Sequence, residues 1–195
     1  MEGRGSMARA GVTVERLTRA AAELADEVGI DNVTVAAVAR RFGVKEASLY
    51  SHIRNVRDLR TRVTLLALTE LADVAAAAVA GRSGKDALVA FAGAYRDYAK
   101  RHPGRYAAAR LRLDPEEAAA SDGRRHAEMI RAILRGYDLR EPDQTDAVRM
   151  LGGTLHGFVS LETAGAFGHH PRAVDASWER TLDALDSALR HWPPS

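Results

Sequence analysis

Apolar positions recur every three or four residues along most of the chain, and no stretch alternates over the length of a strand. Leu17, Ala21, Leu24, Ala25 and Val28 form one stripe. They predict a first helix over 14–28, with Thr13 as N-cap and Gly29 at its end. Ile30 and Val33 flank the turn pair Asp31-Asn32. Val35, Val38, Ala39 and Phe42 share a face and predict a short second helix, capped by Thr34 and stopped by Gly43. A third helix is expected over 45–52, with Val44, Leu49 and Ile53 turned inward. Ala39 is small enough to let the second and third helices approach. A small residue at 39, glycine at 43 and apolar residues at 38, 42, 44 and 49 give the layout of a helix-turn-helix. Such a pair lays a helix in the DNA major groove.

The body continues the same period. Asn55 is expected to cap a long helix through Leu59, Val63, Leu66, Leu71 and Val74 to about 79, alanine-rich in its later half. Gly81–Gly84 breaks it. A helix over 85–101 carries Leu88, Phe91, Ala92, Tyr95 and Tyr98 near one face, and His102-Pro103-Gly104 ends it. A short helix follows over 105–113. Asp114-Pro115 opens a segment to about 136, with a break near Ser121-Asp122-Gly123. The next helix, over 142–167, contains Gly152, Gly153 and Gly157, each costing about 1 kcal/mol against alanine. Close approach of another backbone would offset that, so this helix is expected to be buried or at a subunit interface. The last helix, over 176–191, sets Trp178, Leu182, Leu185 and Leu189 in one stripe. The fold class is therefore all-α, with no repeat and no strand.

Composition narrows the function classes. Of 195 residues 46% are hydrophobic and 28% charged, as in an ordinary globular protein. Without cysteine the chain has neither disulfides nor thiolate metal sites, which fits a reducing cytoplasm. No apolar run nears the ~20 residues of a membrane span, and the N-terminus lacks a signal-peptide core. Gly3-Arg-Gly-Ser-Met7 has the form of an expression-vector remnant, so residues 1–7 are set aside. The net charge of +2 says little, but its distribution matters. Between residues 40 and 62, Arg40, Arg41, Lys45, Arg54, Arg57, Arg60 and Arg62 face only Glu46 and Asp58, whereas the chain beyond 62 is near neutral. A phosphate backbone favours such a focus.

Residues 13–59 resemble the TetR/AcrR family of bacterial transcriptional regulators. The resemblance rests on Ala21-Ala22, Gly29, Thr34, Val38-Ala39, Gly43-Val44, Leu49-Tyr50-x-His52-Ile53 and Leu59. Leu155–Glu162 looks like the penultimate helix of one TetR C-terminal subtype. The resemblance implies about nine helices. Residues 8–54 would form a three-helix DNA-binding head, and 55–195 a larger ligand-binding and dimerisation body. Two positions depart from the family. Val56 stands where relatives usually carry a phosphate-binding lysine, and Ala36 stands where relatives are often polar.

The third helix offers Lys45, Glu46, Ala47, Ser48, Ser51 and His52 as a reading face. Lys45 could donate to guanine or phosphate, Glu46 accept from cytosine, and Ala47 pack on a thymine methyl. Tyr50 and His52 resemble the family's phosphate-contacting pair, with Arg54 and Arg57 as neighbours able to replace the missing lysine. Thr34 would cap its helix and present a backbone N–H to phosphate. Arg9 could reach DNA from the leading arm. The resemblance further implies a homodimer on a near-palindromic double-stranded operator and an unidentified small-molecule effector. Gly157, Leu161, Trp178, Leu182, Leu185 and Leu189 are the candidate dimer interface, and Tyr95, Tyr98, Tyr106, Met129, His156 and Phe158 the candidate pocket walls. His169-His170 lacks a third ligand at metal spacing, so neither metal nor cofactor is expected. The chain shows no nucleophile–base motif and no phosphate loop, so an enzyme is not expected. The leading expectation is a cytoplasmic, nucleoid-associated repressor released from its operator by a ligand. The alternative is a DNA-binding regulator without a small-molecule effector.

Overall fold

The computed structural model describes residues 12–193, so Arg9 lies outside the described residues. Nine α-helices occur among them: α1 Val14–Val28, α2 Val35–Phe42, α3 Val56–Val79, α4 Gly84–Arg101, α5 Pro103–Ala108, α6 Pro115–Ala119, α7 Gly123–Leu134, α8 Asp143–Thr163 and α9 Val174–Arg190. Short 3-10 helices interrupt the order at Ile30–Asn32, Glu46–Ser51 and Arg135–Tyr137. Strands are absent from the described residues.

The expected start signals are in place. Thr13 accepts from the Arg16 N–H at 3.3 Å, Thr34 from the Ala37 N–H at 3.1 Å, and Asn55 Oδ1 from the Asp58 N–H at 2.9 Å. Gly43 ends α2 in the left-handed region, at φ 67°, and donates its N–H back into the last turn.

The chain forms two compact units. Among the described residues the first holds 12–70 together with His102–Ser121, and the second holds Leu71–Arg101 and 122–193. In the first unit Leu17, Ala21, Val33, Val38, Leu49, Leu59 and Val63 are all fully buried in one core. α5 docks on α1 through Gly104. The Asp26 carboxylate receives the Arg105 backbone N–H at 2.9 Å and His102 Nδ1 at 3.1 Å. Thr64, fully buried on α3, donates to the carbonyls of Arg60 and Ala108, each at 3.0 Å.

In the second unit Leu88 and Phe91 of α4, Ile133 and Leu134 of α7, Leu151, Leu155 and Val159 of α8, and Trp178, Leu182, Leu185 and Leu189 of α9 are buried. The α9 stripe is thus satisfied inside its own chain. Trp178, Leu182, Leu185 and Leu189, four of the residues expected at a dimer interface, are between 1% and 6% exposed within the single chain. A Cβ built on Gly152, Gly153 or Gly157 would meet nothing within 4 Å among the described residues.

Several bounds shift. The expected 105–113 helix stops at Ala108, the 114–136 segment splits into α6 and α7, and α8 ends at Thr163 rather than 167. Val44 is 36% exposed instead of inward, leaving Leu49 and Ile53 to anchor the segment behind it.

Candidate nucleic-acid interface

The expected third helix is a 3-10 helix, Glu46–Ser51, and its sequence explains why. The Ser48 hydroxyl donates to the Lys45 carbonyl at 2.6 Å, and the Ser51 hydroxyl donates to the Ser48 carbonyl at 2.9 Å. Both bonds reach back three residues and reinforce the i to i+3 backbone bonds, Ser48 N–H to Lys45 at 3.0 Å and His52 N–H to Leu49 at 2.9 Å. Leu49 is fully buried and Ile53 nearly so. Around that anchor Lys45, Glu46, Ala47, Ser48, Tyr50 and Ser51 are exposed and His52 is half-buried.

This geometry gives each polar group a chemical sense. With its single hydrogen engaged, each serine hydroxyl offers DNA acceptor lone pairs. It therefore suits the amino edges of adenine or cytosine better than guanine O6 or N7. Tyr50 O–H donates to Glu46 Oε1 at 3.1 Å. The carboxylate accepts that proton, which raises the phenol above its ordinary range. Glu46 is thus first a partner of Tyr50.

The basic cluster is thinner in space than in sequence. Arg41 is bound to Glu27 at 2.7 Å and Glu23 at 3.2 Å, which ties α2 to α1. Arg60 donates to the Asp31 carbonyl at 2.6 Å and the Val33 carbonyl at 3.2 Å. Arg62 lies 3.4 Å from Asp58. Among the described residues Arg40 and Lys45 have no ion-pair partner, and Arg54, with its side chain 84% exposed, has only a loose contact with Asp58 at 3.6 Å.

Arg57 is exposed but held by α6, at 2.8 Å from Asp114 and 3.8 Å from Glu117. These acids and Arg54 line a polar cleft of about 190 Å³. Exposed pairs of this kind cost little to break. The double variant D114N/E117Q should therefore free Arg57 and remove two negative charges beside it. Operator affinity is expected to rise several-fold, and the salt dependence to steepen by about one unit of slope. Fluorescence anisotropy across a salt series measures both; unchanged affinity and slope would mean that Arg57 does not face the duplex.

The expected pocket residues fall in both units. Tyr106 belongs to the first unit, buried on α5, with its hydroxyl receiving Arg110 at 3.3 Å. Tyr98 is buried at 2% exposure, and Tyr95 is hydrogen-bonded to His126, so packing and pairing occupy these rings. His156 contacts Ser160 at 3.2 Å, and Met129 is half-buried. Phe158 lines a cleft at the α8–α9 corner. Among the described residues no three His, Cys, Asp or Glu side chains are placed to hold a metal ion.

Comparison with known proteins decides the family. Residues 17–63 match the family described as bacterial regulatory proteins, tetR family, and residues 88–185 match the tetracyclin repressor-like C-terminal domain. The HTH-type transcriptional regulator Rv0681 of Mycobacterium tuberculosis is 38% identical over 155 residues, covering 77% of this chain and 70% of that protein. YobS of Bacillus subtilis, also an HTH-type transcriptional regulator, is 32% identical over 179 residues, covering 92% and 88%. The chain belongs to the TetR family of transcriptional regulators.

A minocycline-bound TetR variant from Acinetobacter baumannii superposes with a TM-score of 0.70 at 22% identity, covering 95% of this chain and 100% of that one. That likeness shows the fold, a helix-turn-helix head with a helical body. The chain is accordingly a DNA-binding transcriptional regulator, and the Thr34–Ile53 segment lies within the matched residues 17–63.

Proposed function

We propose that this TetR-family regulator is a homodimeric repressor that leaves a near-palindromic operator when a small molecule binds its body. The observation that carries the DNA half is the exposed row Lys45–Ser48, Tyr50 and Ser51, pinned from behind by buried Leu49. Residues 8–54 serve as the reading domain and 55–195 as the regulatory one. Lys45, Ala47, Ser48 and Ser51 read bases; Thr34, His52, Arg54 and, once released from Glu46 and from α6, Tyr50 and Arg57 hold phosphates.

A single head touches few base pairs, so specificity favours a two-fold dimer. The open face of α8 supports that reading, because Leu161 is 50% exposed and no described residue comes within 4 Å of a Cβ built on Gly153 or Gly157. The regulator works without catalysis, on DNA in the cytoplasm. No helix among the described residues is long and apolar enough to cross a membrane.

A gel shift on the DNA upstream of its own gene tests the reading, with sedimentation to read the stoichiometry. Tyr50→Phe should weaken every operator variant alike, by about three- to tenfold for a lost charge-assisted contact. Lys45→Ala or Ser48→Ala should change the order of preference among variants. The absence of sequence-selective binding at moderate salt would sink the repressor reading. Identical profiles for the Tyr50 and Lys45 variants would sink the division of labour.

A further inference from the structure

The α8–α9 corner holds a cleft that shares only Phe158 with the pocket residues expected from sequence. Its volume is about 450 Å³, within the range of small-molecule sites. Phe158, Ala166, Phe167 and Val174 form apolar walls, and the Phe158 and Phe167 rings lie 5.0 Å apart at a tilt. His169, His170, Arg172 and Ser177 supply the polar rim, and no carboxylate lines the cleft. Among the described residues Arg172 has no ion-pair partner. The Arg172 backbone N–H donates to His170 Nδ1 at 3.2 Å. When neutral, that ring then carries its hydrogen on Nε2, as a donor. An aromatic trough rimmed by an unpaired guanidinium and imidazole donors is complementary to one chemistry, a flat apolar body ending in a carboxylate.

The cleft floor is wired to α4. Phe158 lies 5.0 Å from the Trp178 ring, and the Arg96 guanidinium sits over Trp178 at 5.2 Å. Arg96 in turn holds Glu162, one turn beyond Phe158 on α8, at 2.7 and 2.6 Å. A ligand that moves Phe158 therefore acts on two of the partners of Arg96, Trp178 and Glu162.

We propose that the Phe158–Phe167–Arg172 cleft binds small aromatic carboxylates, with Arg172 taking the carboxylate and Trp178 passing occupancy to Arg96 on α4. The regulatory consequence rests on the ligand-release reading above; occupancy does not.

Hydrocinnamate, hydrocinnamyl alcohol and hydrocinnamylamine share one phenyl body and differ in charge. They are titrated into full-length W192F protein, in which Trp178 is the remaining tryptophan. Hydrocinnamate should shift Trp178 emission saturably, the alcohol should bind at least about tenfold more weakly, and the amine should give no response. R172Q should bring hydrocinnamate to the affinity of the alcohol and leave the alcohol unchanged, whereas F167A should weaken both. Because Arg172 is exposed, R172Q should melt like its parent.

Equal affinity for acid and alcohol, or no effect of R172Q, overturns the proposal, as does the lack of a saturable response. If a second copy covers the cleft instead, hydrocinnamate affinity falls as protein concentration drives dimerisation, and that also overturns it. Adding the upstream DNA separates the two readings. Hydrocinnamate that saturates the Trp178 signal but leaves DNA bound overturns ligand release and leaves the site standing. Release of DNA by another compound with Trp178 silent to hydrocinnamate overturns the site and leaves release standing.

Discussion

Replacing Gly104 with alanine should destabilise the first unit by about 3 kcal/mol, the upper range of overpacking effects. A Cβ at 104 would lie 1.8 Å from the Ala25 carbonyl oxygen, 2.0 Å from its carbon and 2.5 Å from the Asp26 nitrogen. All three are backbone atoms, so no rotamer change relieves the contact. The Ala25 oxygen is also fixed from within α1, where it accepts the Gly29 N–H at 2.8 Å. Backing α5 away would stretch the Asp26 bonds to His102 and to the Arg105 backbone, and the Thr64 bond to Ala108. For a chain of this size the loss corresponds to a fall of roughly 6–12 °C in the melting midpoint. Ala107→Gly, one position from the α5 terminus and exposed, serves as the control for helix propensity. A G104A melt within about 1 °C of the parent would mean that α5 is not seated on α1 as described.

Gly104 also shows how sequence and structure divide the information. In the pattern His102-Pro103-Gly104 the glycine reads as a helix terminator, whereas it lies in the first turn of α5 and permits backbone contact with a helix some eighty residues earlier. Local chemistry was legible. Thr13, Thr34 and Asn55 cap their helices, Gly43 turns the chain, and Leu49 and Ile53 point inward, because each depends on neighbours within a few positions. The DNA-binding head was legible for the same reason.

What the sequence could not carry is partner identity. The charge between 40 and 62 is real, but Glu23, Glu27, Asp114 and two backbone carbonyls have claimed much of it, and none of these is close in sequence. The stripe Trp178–Leu189 announces burial without saying against what, and the answer is its own chain. The 3-10 form of residues 46–51 rests on the hydroxyls of Ser48 and Ser51, whose bonds three residues back have no signature in the apolar pattern.

The second large effect concerns Arg96. Its side chain is 10% exposed and Glu162's is 13%, so this pair sits largely out of water. Glu162 also receives Lys100 at 2.9 Å, and Asp175, 77% exposed, completes the cluster at 2.6 Å from Arg96. Removing one member of a buried pair strands the other, typically at 3–5 kcal/mol. Because Lys100 remains and Asp175 can rehydrate, R96M should cost about 3 kcal/mol, at the low end of that range. E162Q alone leaves Arg96 with Asp175 and should cost less.

The double variant R96M/E162Q should be well short of additive, since methionine and glutamine no longer leave a charge without its partner. The acid limb supplies an independent reading. Hydrogen bonding and charge from Arg96 hold the Glu162 carboxyl below its ordinary value near 4.5. The unfolded chain therefore takes up that proton at higher pH than the folded one. The stabilisation is full above pH 4.5 and drains away as pH falls towards the depressed folded value. E162Q should remove that share of the acid sensitivity while leaving the alkaline side unchanged. Urea titrations across pH 3–7 on the four proteins decide the matter. Additive losses with an unchanged acid limb would mean that Arg96 stabilises the second unit through its packing on Trp178 and not through its carboxylates.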